Sequence, residues 1–295
     1  MSKPVVFSGS ATALVTPFTE SGINYDTFAQ LIDFQLAGGT DALVICGTTG
    51  EAVTMTVEER RDAVKFAKEY VKGKVPIIAG TGANETVMAI MHSQLAQDAG
   101  ADALLVVTPY YNRTSQHGLV KYFNDVANNV DLPIIAYNVP GRTALNIKAE
   151  TMAKIAEHPR VVGVKEASAD ITQIGEYARL CPDFALYSGC DDHVVAMMAF
   201  GGKGVISTVS NIAPKAMHDL CAAFLAGDVK KACEMQLAIN PLASAMFCDV
   251  NPIPVKTALR MMGYDVGELR APLCDPLPEV ADKIASALRA YGLID

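Results

Sequence analysis

Between residues 8 and 207 the chain repeats one unit: a short apolar run, a polar or glycine-rich turn, and a segment with apolar residues at helical spacing. The apolar runs are Ala11–Val15, Ala42–Cys46, Ile77–Ala79, Ala103–Val107, Ile134–Ala136, Val161–Val164, Ala185–Tyr187 and Val205–Ile206. Such near-continuous runs are the habit of strands buried on both faces of a parallel sheet. The segments between them carry helix-start signals. Thr56 and Glu59 have capping-box spacing, Asn84 and Ser115 suit N-caps, and Asp170 with Gln173 repeats the capping-box logic. Gly38-Gly39 and Gly100 suit helix ends. Repeated strand–helix units without a linker predict a (β/α)8 TIM barrel, with an open doubly wound sheet as the alternative built from the same units.

After residue 210 the pattern is purely helical, over Pro214–Ala226, Val229–Met246, Ile253–Met262 and Pro278–Tyr291. The first of these completes the barrel, so residues 1–225 are expected to form it and residues 226–295 a C-terminal helical appendage. The two ends of the strands differ in kind. They start at plain positions such as Asp41, Pro76, Asp102 and Pro133. They finish at Thr16-Pro17, Gly47-Thr48-Thr49-Gly50-Glu51, Gly80-Thr81-Gly82, Thr108-Pro109-Tyr110-Tyr111, Tyr137-Asn138, Lys165-Glu166, Ser188-Gly189 and Ser207. Hydroxyls, glycines, tyrosines and one lysine thus gather on the rim where barrel enzymes keep their chemistry.

Composition narrows the function classes. A net charge of −8 over 295 residues, with no Lys/Arg-rich run, argues against a nucleic-acid partner. No apolar run approaches the ~20 residues needed to span a bilayer. Ser8, Ser10 and Thr12 interrupt what would be a signal peptide's apolar core, so a cytoplasmic location is expected. The seven cysteines lack CxxC spacing, and Cys46, Cys221 and Cys233 lie in apolar segments that suit buried, reduced thiols. No metal is expected, because His92, His117, His158, His193 and His218 fall in helices or loops away from ligand spacing. No GxSxG elbow, dinucleotide fingerprint or P-loop is present, and Gly201–Gly204 reads as a loop entering the eighth strand.

Lys165 closes the run VVGVKEAS and is the one lysine that ends a strand-like segment. Desolvation favours the uncharged form of an amine, and a free amine attacks a ketone to give an imine that acts as an electron sink. A strand-end lysine that snorkels to solvent is the plain alternative. Tyr137 ends the preceding strand, where a phenol beside Lys165 suits proton transfer. The Gly47–Glu51 turn offers backbone N–H groups and the hydroxyls of Thr48 and Thr49 to a carboxylate, or is simply a tight turn. Arg142, just past the rim, suits a second carboxylate held in a bidentate fork, unless it is a surface arginine. Tyr110-Tyr111 suits an interface.

GTTGE, TPYYNR, YNVPGRT and GVKEAS, in this order, with NPIPVK at Asn251–Lys256, resemble the 4-hydroxy-tetrahydrodipicolinate (dihydrodipicolinate) synthase family, within the N-acetylneuraminate lyase superfamily of class I aldolase-like barrels. The resemblance covers essentially the whole chain. It implies an imine between Lys165 and pyruvate, with no other cofactor, and a proton relay of Tyr137, Thr48 and Tyr111, the last reaching in from a neighbouring subunit. It further implies that Thr48-Thr49 hold the pyruvate carboxylate, that Arg142 holds the carboxylate of L-aspartate 4-semialdehyde, and that Gly189 and the backbone at Ile206 line the site. The family is usually a homotetramer built as a dimer of dimers, and it commits material to the diaminopimelate route to lysine. Sugar-acid lyases of the superfamily usually carry leucine where Arg142 stands and an acidic pair near the seventh strand, which Asp191-Asp192 resembles. The alternatives are an aldolase for another aldehyde and a non-catalytic 2-keto-acid-binding barrel.

Feedback-inhibited members bind lysine through a histidine, a glutamate, an asparagine and a tyrosine; this chain has Val57 and Met88 alongside Asn84 and Tyr110. Losing the carboxylate partner at Met88 removes an ion pair worth roughly 2–5 kcal/mol where it is buried. Steady-state assays are therefore expected to show weak or absent inhibition by lysine, and marked inhibition at submillimolar lysine would refute this.

Overall fold

The computed structural model describes residues 3–295. Eight parallel strands close into a barrel in sequence order: β1 (Gly9–Ala13), β2 (Ala42–Ile45), β3 (Ile77–Gly80), β4 (Ala103–Val107), β5 (Ile134–Asn138), β6 (Val161–Glu166), β7 (Ala185–Ser188) and β8 (Gly204–Ser207). Closure is made where Ala11 of β1 is in register with both Ala42 and Ile206. Eight helices lie between and after the strands: α1 (Tyr25–Ala37), α2 (Val57–Val71), α3 (Thr86–Asp98), α4 (Gln116–Asn128), α5 (Ala149–Ile155), α6 (Ile171–Leu180), α7 (Val194–Ala199) and α8 (Pro214–Leu225). Then come α9 (Val229–Met246), α10 (Ile253–Met261) and α11 (Pro278–Tyr291), and the chain is a (β/α)8 barrel with C-terminal helices.

The apolar runs hide an alternation, because both faces of every strand are covered. Ala42, Val44, Ile78, Ala103, Leu105, Ile135, Ala185 and Ile206 fill the barrel interior. Their neighbours Leu43, Ile45, Ile77, Leu104, Val106, Ile134 and Leu186 pack outward beneath the helices. Side chains alternate along a strand, so parity decides who reaches the axis. Val164 packs outward, which puts Lys165 on the inward face of β6, and Tyr137 belongs to the interior set of β5. The two residues are paired in register across adjacent strands. The floor below them is Tyr187, stacked on Phe7 at 4.3 Å with its hydroxyl donating to the Phe7 carbonyl at 2.8 Å.

A register shift between Ile134 and Ile135 sits opposite the Val161–Gly163 step of β6. Gly163 is required there, since a Cβ would stand 2.6 Å from the Ala185 carbonyl oxygen of β7.

Several boundaries differ from the sequence expectation for local reasons. The first strand is Gly9–Ala13 rather than Ala11–Val15, because the Val15 amide leaves the ladder to donate to Asn211 Oδ1 at 3.0 Å. Strands β5 and β6 run two residues further than their apolar runs. Their polar ends stay in the ladder because Asn138 Nδ2 donates to Glu166 Oε2 at 2.8 Å. Thr56 and Glu59 form the expected capping box, and Ser115 caps α4. Asn84 does not cap α3: the helix begins at Thr86, one residue late for that role, with Glu85 at the N-cap. Asp170 caps α6, but the Gln173 side chain turns away from it toward Asn146 and Glu166.

A short hairpin, Phe18–Thr19 with Gly22–Ile23, and a single helical turn at Pro140–Thr143 carry no clear sequence signal. Cys46 and Cys221 are buried as expected, whereas Cys233 is exposed, because α9 turns Ala232, Gln236 and Ile239 to the core instead. Among the described residues no helix is long and apolar enough to cross a membrane.

Candidate active site

The C-terminal ends of the strands open into a cavity of about 430 Å³ walled by Thr48, Thr49, Tyr137, Arg142, Lys165 and Gly189, among others. Lys165 stands at its base, 6% exposed, with Nζ 4.5 Å from the centroid of the Tyr137 ring. A lysine ammonium over the face of a phenol is attracted by the ring quadrupole. Gly189 fits close to the same turn: its amide donates to the Glu166 carbonyl at 2.7 Å, and a Cβ would meet the Ala167 Cβ at 2.6 Å.

The Gly47–Glu51 turn closes one side. Thr48 is exposed to the cavity, and Thr49 is buried with its hydroxyl accepting from Asn251 Nδ2 at 3.0 Å. Thr208 Oγ1 lies 3.5 Å from Thr49 Oγ1. Below the turn, Glu51 takes a left-handed backbone and makes a fully buried ion pair with Lys256 of α10 at 2.8 Å. The Lys256 amine also caps the Glu268 carbonyl and lies over the Phe18 ring, and the second Glu51 oxygen accepts from the Arg270 amide at 2.9 Å. Burial pushes the Lys256 amine below the ordinary lysine range, with Glu51 opposing.

Arg142 projects from the turn at Pro140–Thr143 and donates to the Asn251 carbonyl at 3.0 Å. It also borders a second cavity of about 330 Å³, which adjoins the first at Thr48, Tyr137 and Val139 and is further lined by Arg60 and Tyr110. Tyr111 is elsewhere. It is 93% exposed in a left-handed conformation with φ 66° and lines neither cavity. The Ile206 side chain is fully buried inside the barrel, and Thr208, two residues on, supplies the wall at that end. Of the sequence candidates, the fold therefore brings Lys165, Tyr137, Thr48, Thr49, Arg142 and Gly189 to one cavity within the chain.

The chain matches the model of the dihydrodipicolinate synthetase family over residues 6–291. It is 52% identical over 291 residues to the 4-hydroxy-tetrahydrodipicolinate synthase of Thermoanaerobacter sp. (strain X514), covering 98% of each chain. It is 48% identical over 295 residues to the enzyme of that name from Acetivibrio thermocellus, covering both chains completely. The crystal structure of dihydrodipicolinate synthase from Thermotoga maritima superposes with a TM-score of 0.96 at 41% identity, over 98% of this chain and 100% of that one. The chain belongs to the dihydrodipicolinate synthetase family.

The sequence carries no clear signal for the polar groups that hold the walls of this cavity in place. Glu166 is buried behind Lys165 and accepts from the Ser168 amide at 2.6 Å, from Asn138 and from Gln173. Burial raises its carboxyl above the ordinary glutamate range, and those donors oppose the rise. Asp191, noted only as half of an acidic pair, accepts from the Thr208 and Val209 amides at 3.1 and 3.2 Å and so ties the seventh loop to the eighth. Burial raises its carboxyl too. Asn251 opens the NPIPVK segment, but nothing in its spacing points to Thr49 or Arg142. One histidine lies closer to other possible ligands than its sequence spacing suggests. Cys190, Asp192 and His193 hold their ligating atoms within 4.8 Å of one another, because a one-turn 3-10 helix folds the CDDH run back on itself.

Removing one member of a buried ion pair leaves an uncompensated charge. Lys256→Met is expected to lower the unfolding free energy by about 3–5 kcal/mol, and the Glu51→Gln, Lys256→Met double variant to recover most of that loss. Chemical denaturation of the three proteins checks it. An unfolding free energy for Lys256→Met equal to that of the unaltered chain would be the contrary result.

Proposed function

We propose that this chain condenses pyruvate with L-aspartate 4-semialdehyde to give 4-hydroxy-tetrahydrodipicolinate, in the diaminopimelate route to lysine, through an imine on Lys165. Membership of the family supports the overall reaction. The observation that carries the chemistry is the placement of a buried lysine amine over the Tyr137 ring at the C-terminal mouth of the barrel.

The Lys165 amine attacks the ketone carbon of pyruvate, and the carbinolamine loses water to leave the imine. Loss of a methyl proton gives the enamine, whose carbon attacks the aldehyde of the second substrate. The amine of that substrate then adds to the imine carbon and expels Lys165, closing the ring and regenerating the free lysine. Each step moves a proton, and Tyr137, Thr48 and Tyr111 are the groups assigned to carry them. The ketone substrate itself becomes the electron sink once it is an imine, so no further cofactor is invoked. Thr48 and Thr49 hold the pyruvate carboxylate, Arg142 takes that of the semialdehyde, and Gly189 and the backbone at Ile206 complete the wall.

Tyr111 serves this relay only from a neighbouring subunit. Its near-complete exposure, outside the walls of its own cavity, fits a contact with that subunit, and the assembly we infer is a homotetramer built as a dimer of dimers. The reaction's substrates suit a cytoplasmic enzyme.

Incubation with pyruvate and borohydride, followed by peptide mass analysis, is expected to show reductive addition on the peptide containing Lys165. A mass gain confined to other peptides would sink the imine mechanism. Arg142→Ala is expected to retain this trapping while losing kcat/KM for the semialdehyde by roughly a hundredfold, the effect of deleting a charged anchor. Unchanged kinetics would remove the role given to Arg142.

A further inference from the structure

The NPIPVK segment grips the Gly47–Glu51 turn at two points. Lys256 pairs with Glu51 and Asn251 donates to Thr49, so the start of α10 is fixed against the turn from both ends. Asn251 is itself buried and lines the main cavity, its Oδ1 has no hydrogen-bond partner, and its carbonyl receives Arg142.

A hydroxyl has one hydrogen to donate and two lone pairs. The Thr49 oxygen already accepts the hydrogen of Asn251 Nδ2, so its own hydrogen is left for Thr208 at a long 3.5 Å or for whatever occupies the cavity. We propose that Asn251 is a positioning residue that sets the polarity of Thr49: by donating to it, the amide turns the threonine hydrogen toward the cavity, where it binds the carboxylate of the keto acid. This rests on the pyruvate reading given above. An acceptor at position 251 reverses the arrangement, drawing the hydrogen out of the cavity and presenting lone pairs to the anion. The same residue receives Arg142 through its main chain, which a side-chain substitution leaves in place, so the effect falls on the keto-acid end of the site.

The test uses the full-length chain and the pyruvate concentration that half-saturates borohydride trapping on Lys165. Asn251→Asp, isosteric but an acceptor when ionised, is expected to raise it tenfold or more. Asn251→Ala, which merely frees the hydroxyl to rotate, is expected to raise it about threefold, with the KM for the semialdehyde within twofold of the unaltered chain. A packing role gives the opposite order, since alanine leaves a void and aspartate does not, and that order overturns the proposal. In a Thr49→Val background there is no hydroxyl to orient, so the Asp penalty is expected to fall below threefold. An undiminished penalty there would mean simple charge repulsion and would also overturn it. Failure of the unaltered chain to trap pyruvate removes the substrate reading along with this inference; trapping with the wrong order removes this inference alone.

Discussion

Everything at this site depends on closing a parallel sheet whose strands are buried on both faces. In an open doubly wound sheet, successive side chains face two separate helical layers and never share one interior. In a closed barrel the interior is one file of side chains, and the alternation of each strand decides which residues enter it. Val164 faces the helices, so Lys165 faces the axis, and its register partner Tyr137 does the same. The Tyr187–Phe7 stack fills the barrel beneath them, which leaves Lys165 open only toward the cavity. The placement that aims the Lys165 amine into the cavity thus comes from the barrel itself.

The second requirement is that the loops above the strands keep a fixed shape, and this chain meets it with buried polar contacts rather than apolar packing. Glu166 gathers donors from β5 and α6, and Asp191 gathers the amides that follow β8. Lys256 and Arg270 approach the Gly47–Glu51 turn from the C-terminal segment. Each arrangement costs desolvation, which the matched donors and acceptors offset, while Asp191 Oδ1 and Asn251 Oδ1 stay unpaired. In return the loops have few alternative low-energy arrangements, which is what a site needs if it must aim two hydroxyls and an arginine at two carboxylates.

How much of this was legible in the sequence follows from the range of each interaction. The strand–helix repeat, the caps at Thr56 and Ser115, and the placement of chemistry at strand ends are local patterns. They appeared where the pattern put them. Lys165 and Tyr137 were readable because parity and strand order are themselves local rules. The polar ends of β5 and β6 were not, because Asn138 and Glu166 stay in the ladder only by bonding each other across strands. The exposure of Cys233 required knowing which face of α9 meets the barrel. Glu51 and Lys256 are 205 positions apart, and no periodicity joins them.

That separation shows what the C-terminal helices contribute. Their apolar residues, including Leu242, Leu259, Ile284 and Leu288, share one continuous core with the outer layer of the barrel. A barrel with eight strand–helix units already has its own closure, so this extra packing is not needed to complete the sheet. Its specific effect is to bring one lysine, one asparagine and the Arg270 amide against a turn that the barrel itself holds through Thr16 Oγ1 on the Gly50 carbonyl. Arg142 closes the circle by donating to Asn251, so the turn after β2 and the turn after β5 meet through a residue that belongs to neither. The two ends of the cavity therefore share one support: the Asn251 side chain holds the turn after β2 and its main-chain carbonyl holds Arg142.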